Sequence, residues 1–217
     1  MMIAARNAFL MGGAKPVEVE YLESTGTQYI DTGYRLSDFG VNSRISTLDS
    51  IWKMTASVTG ATNIQGTYHG LILGVDASGN YFFSNNGVKA SDGVTTIELK
   101  KQSGSWAIIF AEKGITIRNT TPWPIYAESD KILVCAAGNA RAGATAVKPF
   151  YGRVYQASLE VNGTVFFNLV PVRVGLVGCM YDKRSVGGMN PDGTVRDDGL
   201  YFNRGSGAFV IGPDKWL

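Results

Sequence analysis

The stretch YQASLEVNGTVFFNLVPV, Tyr155 to Val172, contains the strongest local structural signal in the chain. Two apolar-rich runs flank the dipeptide Asn162-Gly163, which accepts positive φ at both central positions of a type I′ turn. The pattern therefore predicts a β-hairpin with a two-residue turn.

Such a turn also predicts which residues face each other. The expected pairs are Val161 with Thr164, Leu159 with Phe166, Ala157 with Asn168, and Tyr155 with Val170. One face of the hairpin is then largely apolar, while the other sets Phe167 and Leu169 beside polar partners. Because an open solvent face does not favour that mixture, we expect the outer side to be covered by the N-terminal arm or by a neighbouring subunit.

Outward from the hairpin, the chain continues to favour short antiparallel strands. The segments VTTIELKK, WAIIFA and ITIRN, separated by turn-forming residues, predict a three-stranded meander. Further strands are predicted at residues 17–22, 28–31, 40–47, 69–75, 80–84, 131–136, 199–203 and 207–211. With 27 glycines and no convincing long amphipathic helix, the expected fold is an all-β antiparallel sandwich of the jelly-roll type.

The chain of 217 residues is 45% hydrophobic and 11% aromatic, which suits a single domain with a sizeable core. We expect that domain to span residues 17–217, preceded by an N-terminal arm at residues 1–16. Arg6 and Asn7 interrupt the apolar character of the arm, so we do not interpret it as a secretion signal. The arm is instead a candidate attachment element, and a homo-oligomer is compatible with the sequence.

Charge and cysteine usage narrow the classes of partner. The net charge is only +2 and the basic residues are scattered, so no nucleic-acid partner is expected. No apolar run approaches the roughly 20 residues that span a bilayer. Cys135 and Cys179 fit no metal or redox spacing; Cys135 is expected to be buried, and whether the two are bonded stays open.

Known catalytic patterns are weak in this sequence. Asp31-Thr32-Gly33 matches the aspartic-protease tripeptide, but that chemistry needs two aspartates sharing a proton and the chain holds one copy. His69, the single histidine, would have to carry any histidine-dependent triad, and the paired carboxylates of jelly-roll glycosidases are absent. We therefore expect no catalytic residue and no cofactor.

Two loops have ligand-binding chemistry. The segment NPDGTVRDDG, Asn190 to Gly199, gathers oxygen ligands of the type that calcium prefers, but it lacks the EF-hand glycine and glutamate. We interpret it as a turn and predict no metal site, leaving calcium binding open. Trp123 lies between two prolines that stiffen its loop, so its indole is a candidate platform for a sugar ring, against the alternative that it plugs one end of the sandwich. The companion candidates for ligand binding are Tyr126, Tyr68, Asn85 and Asn86.

One longer signature resembles a known family. The string YLESTGTQYIDTG, Tyr21 to Gly33, is similar to an N-terminal signature of concanavalin A-like, laminin-G-like jelly-roll proteins in gut bacteria and their phages and prophages. A closing segment with an Asn-Gly turn, LVP, a Tyr-Asp turn and a Gly-rich strand also recurs there, and the resemblance spans about 17–212. The insertion KRSVGGMNPDGTVRDDG, Lys183 to Gly199, departs from that pattern.

The resemblance implies a jelly roll in which Asp31 caps the exit turn of the first strand and Gly33 supplies backbone freedom. It also implies a non-catalytic module, namely a virion protein of a phage or prophage that contacts glycans or other proteins. The expected location is the virion or the extracellular surface. The alternative is a secreted or surface carbohydrate-binding module of a gut bacterium.

Overall fold

Antiparallel β-structure dominates the described part of the chain. The computed structural model describes residues 15–35, 38, 50–58, 74–75, 80–83, 86–89, 94–102, 105–110, 112, 114–119, 131–139, 144–147 and 150–215. The predicted strand at 40–47, most of the N-terminal arm, and His69 lie outside these residues. The all-β antiparallel class is confirmed.

The strands, in chain order, have the following bounds. They are β1 (Val17–Glu18), β2 (Leu22–Thr25), β3 (Ile30–Arg35), β4 (Ser50–Val58), β5 (Gly74–Val75), β6 (Asn80–Phe83), β7 (Asn86–Lys89), β8 (Thr95–Gln102), β9 (Ser105–Phe110), β10 (Ile115–Asn119), β11 (Lys131–Val134), β12 (Ala137–Asn139), β13 (Ala144–Val147), β14 (Tyr151–Val161), β15 (Thr164–Val174), β16 (Val177–Asp182), β17 (Leu200–Phe202) and β18 (Val210–Ile211).

Most of these strands join one large sheet. Its path runs β10-β9-β8-β4-β14-β15-β16-β17, with β1 on β15 and β2 bridging β14 and β18. The predicted meander is confirmed as β8-β9-β10, whose neighbours pair antiparallel. Within the described residues, β5-β6-β7, β12-β13 and β11-β3 form smaller antiparallel sheets.

The predicted hairpin is present, but its register differs from the expected one. Asn162 and Gly163 both have positive φ, and Val161 pairs with Thr164 as predicted. A β-bulge then shifts the ladder so that Leu159 pairs with Phe167 instead of Phe166. A bulge adds one residue to one strand, and every later side chain on that strand changes face.

The bulge moves Phe167 and Leu169 to the core side of the sheet. Both side chains are fully buried in the main core with Leu159 and Ala157. The prediction that they lie on a covered outer face was therefore wrong. The same shift turns Asn168 away from the core. Inside the core, its side-chain amide would have no hydrogen-bond partners.

The outer face of β15 is nevertheless buried further along, by a second apolar cluster. Its buried members are Val170, Val172, Val174, Cys179, Leu200 and Phe202. Arg196, from the insertion, contributes to the cover because its guanidinium lies 5.2 Å from the centre of the Phe202 ring. This end of the sheet is thus apolar on both faces.

The N-terminal segment lies across the point where β14 and β15 diverge. Val17 pairs with Arg173 of β15, whereas Leu22 pairs with Val154 of β14. The C-terminal residues line the other edge of this segment, and Arg173 makes two hydrogen bonds to Asp214, at 2.7 and 2.6 Å. Both ends of the described chain are therefore fixed against the central hairpin.

Strands β3 and β11 place a second layer against the main sheet. Ile30, Ile132 and Val134 are buried in the same apolar cluster as Leu159 and Phe167 of the main sheet. Burial of this cluster supplies the main driving force for bringing the two layers together.

Candidate functional site

The tripeptide Asp31-Thr32-Gly33 has a structural role in the described geometry. Asp31 is fully buried in β3, and its Oδ1 accepts a hydrogen bond from the Gly33 amide at 3.0 Å. The Thr32 hydroxyl donates to the Ile132 carbonyl at 2.7 Å and so ties β3 to β11. Gly33 has a φ of 80°, as the resemblance implied, but β3 continues to Arg35 and does not turn out after Gly33.

The ligand-binding residues expected from the sequence fall largely outside the described part of the chain. Trp123, Tyr126, Tyr68 and Asn85 all lie beyond it, and Asn86 is placed only as the first backbone position of β7, opposite Phe83. These assignments remain predictions. A candidate site has to be built from other residues.

The outer surface of the central strands carries one continuous set of polar side chains, which we call the polar face. It includes Lys53, Thr55, Ser57, Thr96, Gln156, Ser158 and Asn168, all half-buried. Their neighbours in sequence, such as Met54 and Ala157, point into the core because side chains alternate along a strand. Hydrogen bonds cross the strands here, between the hydroxyls of Thr55 and Thr96 at 3.0 Å and from Gln156 Nε2 to Asn168 Oδ1 at 2.8 Å.

Beside the polar face lies a cluster that we call the tyrosine–arginine patch, formed by Tyr21, Glu23, Arg153 and Tyr155. Arg153 pairs with Glu23 across β14 and β2, and its Nε donates to Glu23 Oε2 at 2.8 Å. The Arg153 guanidinium lies over the Tyr21 ring, 4.3 Å from its centre, within the range of a cation–π contact. Tyr155 meets Tyr21 edge-to-face, with ring centres 5.8 Å apart.

A second bulge directs Tyr155 into this patch. Val154 pairs with Ala56 and Gln156 pairs with Thr55, so Tyr155 is the extra residue on β14. Bulges are frequent where a strand must re-aim a side chain toward a binding site. Here the bulge leaves Tyr155 half-exposed, on the side of the patch that adjoins the polar face.

The exposed chemistry of the patch is concentrated in Arg153 and Tyr155. The hydrogen bond to Glu23 raises the pKa of Arg153 above its ordinary value, so the guanidinium stays charged at any physiological pH. The Tyr21 ring has Arg153 over one face, and Gly212 packs so closely against it that a Cβ there would lie 2.9 Å from the ring. Tyr21 is therefore a support for Arg153, while Tyr155 can present its ring to a ligand.

Tyr151 extends the aromatic surface along β14. Its ring lies directly against the backbone of Gly26, where any Cβ would overlap it, and 38% of the residue is exposed. Tyr155 follows Tyr151 by four positions, about 13 Å along a strand. The two rings could therefore contact successive units of an elongated ligand.

The insertion at Lys183–Gly199 is anchored through an ion pair whose carboxylate is buried. Asp182 is fully buried, and Arg184 donates from Nε and Nη2 to its carboxylate, the shorter contact being 2.6 Å. Arg184 Nη1 also donates to the Val165 carbonyl at 2.9 Å, next to the hairpin bulge. Burial raises the pKa of the nearby Tyr201 hydroxyl to about 12, so this tyrosine stays neutral.

The side-chain oxygens of the loop in the insertion accept hydrogen bonds from other residues of the same loop. Asp198 and Asn190 both accept from Arg196, and Asp192 accepts from the amide and hydroxyl of Thr194. The hydrogen bond from Arg196 lowers the pKa of Asp198. Among the residues described, no three metal-binding side chains of the His, Cys, Asp or Glu type come together.

Both cysteines are free and buried, as expected for Cys135. Burial raises the pKa of each thiol to about 12, so the reactive thiolate is scarce in the folded protein at neutral pH. We expect a disulfide reagent such as DTNB at pH 8 to label neither cysteine until urea unfolds the chain. Reaction of both cysteines with DTNB in native buffer would contradict this burial.

Part of the patch could have been found from the sequence. The alternation Tyr151, Arg153, Tyr155 puts three candidate side chains on one face if the strand predicted from Tyr155 is extended back to Tyr151. The contribution of Tyr21 and Glu23 depends on the pairing of β2 with β14, strands more than 120 residues apart in sequence. No local pattern predicts such a pairing.

Comparison of the chain with protein-family models, with curated proteins and with solved structures finds no match. Within the described residues, no helix has the length and apolar character needed to cross a membrane. The function must therefore be inferred from the geometry of the polar face and the tyrosine–arginine patch.

Proposed function

We propose that the protein is a non-catalytic binding module that recognises glycans with the polar face and the tyrosine–arginine patch. The observation that carries this proposal is the position of Tyr155, half-exposed and held edge-to-face by Tyr21 beside a row of hydroxyl and amide groups. Sugar rings offer C–H faces to an aromatic ring and hydroxyls to amides, so both surfaces find partners in one ligand.

Rigidity of the site also supports a binding role. Tyr155, Arg153 and the polar face lie on strands at the centre of the large sheet, and the patch joins β14 to β2 through the Arg153–Glu23 pair. A preorganised surface loses little conformational entropy when a ligand binds.

We further propose that the module has the jelly-roll sandwich of concanavalin A-like proteins and acts on a phage or prophage virion, or elsewhere on an extracellular surface. The resemblance of residues 17–212 to jelly-roll proteins of gut bacteria and their phages supports this origin. Packing of β3 and β11 against the large sheet is compatible with a two-layered sandwich. Neighbouring genes for tail or capsid proteins would support the virion assignment, and neighbouring genes for secreted glycan-degrading enzymes would contradict it.

A glycan array tests the binding function. We expect the wild-type protein to bind a subset of oligosaccharides, and Tyr155→Ala to weaken that binding about tenfold, since tyrosine is enriched among the contact residues whose truncation costs more than about 1 kcal/mol. Tyr155→Phe keeps the ring and serves as the matched control, with binding close to wild type. Thermal unfolding of both variants confirms that the sheet is intact.

Two results would contradict the proposal. A folded wild-type protein that binds no glycan would remove the function itself. Binding that is unchanged in Tyr155→Ala but lost in Trp123→Ala would instead move the site to the loop predicted from the sequence.

A further inference from the structure

Arg153 differs from three other arginines in the described part of the chain. Arg173 and Arg196 each hold an aspartate through Nε and Nη2, and their Nη1 donates to a further oxygen. Arg184 uses the same three nitrogens with Asp182 and Val165. Arg153 uses Nε alone, toward Glu23, and no described residue accepts a hydrogen bond from its two terminal nitrogens.

The Arg153 side chain is partly exposed and is held on two sides. The Arg153 side chain is 40% exposed, while Glu23 holds its Nε side and the Tyr21 ring supports the guanidinium plane. A guanidinium that is held in this way presents two nearly parallel N–H groups outward, the geometry that matches the two oxygens of a carboxylate.

We propose that Arg153 receives a carboxylate, so that the ligand is an acidic glycan containing a uronic-acid type of sugar. This inference rests on the proposed glycan-binding function and names its ligand class. The carboxylate would accept from the two terminal nitrogens, the sugar ring would contact Tyr155, and neighbouring hydroxyls would reach the polar face.

The local charge favours a ligand group with a single negative charge. Arg153 and Glu23 together are close to neutral, so the patch offers one well-directed pair of donors and no excess of positive charge. A dianionic phosphate would meet stronger repulsion from Glu23 than a carboxylate does. Sulfated glycans and acidic peptides are alternatives that the experiment has to distinguish.

The test compares matched ligands by isothermal titration calorimetry. One is an oligosaccharide that contains glucuronic acid, and the other is its glucose analogue of the same length and linkage. We expect the acidic ligand to bind about 10- to 100-fold more tightly, the range that a charge-assisted bidentate contact provides. Arg153→Gln should remove this difference by weakening binding of the acidic ligand more than binding of the neutral one.

Two further variants separate geometry from charge. Arg153→Lys keeps the positive charge but loses the planar pair of donors, so it should recover only part of the preference for the acid. Lys183→Gln removes one charge from a side chain that is 50% exposed and weakly paired with Glu18, and it should leave the preference unchanged.

Several outcomes would overturn the inference. Equal affinity for the acid and the neutral analogue would contradict it while leaving the glycan-binding function intact. A preference for the sulfated analogue would identify a sulfated sugar as the ligand instead. Binding of a glutamate-rich peptide that Arg153→Gln abolishes would identify an acidic peptide instead. Absence of binding to every glycan by the folded protein would overturn both this inference and the proposed function.

Discussion

Phe167→Ala should lower the free energy of unfolding by about 3–5 kcal/mol, the usual cost of truncating a buried phenylalanine. Phe167 is fully buried, and its ring stacks with Tyr34 at a centroid distance of 6.3 Å. The cavity left by the ring would lie between the two layers, where the surrounding strands have little freedom to close it. Urea unfolding followed by tryptophan fluorescence measures the change.

The neighbouring positions on β15 supply the controls for this prediction. Val165→Ala truncates a side chain that is 41% exposed and should cost less than about 1 kcal/mol. Phe166→Ala affects a partly buried ring at the rim of the core and should fall between the other two variants. A larger loss for Phe166→Ala than for Phe167→Ala would mean that the bulge is absent and that the simple hairpin register is correct.

The turn of this hairpin could be predicted from the sequence, whereas its register could not. Asn162-Gly163 fixes the turn because few other dipeptides tolerate positive φ at both positions, so the hairpin could be predicted. The bulge at Phe166, in contrast, has no turn-forming residue in the sequence that would predict it. A warning was present, since the unshifted register places the Asn168 amide opposite Ala157 on the apolar face.

The meander β8-β9-β10 was predictable for a related reason. Its strands are consecutive, and the alternation of Ile97 and Leu99 with Glu98 and Lys100 identifies the core side. The crossing of the N-terminal segment from β15 to β14 has no such signal, because Val17 and Leu22 pair with residues near the other end of the chain. Contacts of that separation are set by the packing of the whole domain.

For the candidate site too, local sequence features could be recognised, whereas contacts between distant residues could not. Sequence reasoning favoured Trp123 because prolines on both sides make its loop recognisable, and that prediction remains untested. It overlooked Arg153 because an arginine on a strand usually indicates a solvated face. Only the structure shows that Glu23 binds its Nε and that Tyr21 lies under the guanidinium, which leaves the two terminal nitrogens for a ligand.

Asp182→Ala should destabilise the protein by about 3 kcal/mol, because it leaves the half-buried Arg184 guanidinium without its counter-charge. The carboxylate also accepts hydrogen bonds from the backbone amides of Asn168 and Arg184, at 3.3 and 3.0 Å, which alanine cannot replace. Asp182→Asn retains an acceptor for those amides and should cost less. Urea unfolding of the three proteins measures the difference.

The ion pair should also couple the insertion to the hairpin. Arg184 joins Asp182 to the Val165 carbonyl, so Arg184→Ala removes both contacts at once. The double variant Asp182→Ala/Arg184→Ala should then be more stable than the sum of the single losses predicts, because it does not leave the buried Asp182 carboxylate without its partner, as Arg184→Ala alone does. Asp197→Ala, an exposed carboxylate of the same insertion, is the matched control and should change stability by less than about 0.5 kcal/mol. Strictly additive losses, or a loss for Asp197→Ala as large as that for Asp182→Ala, would show that the pair does not anchor the insertion.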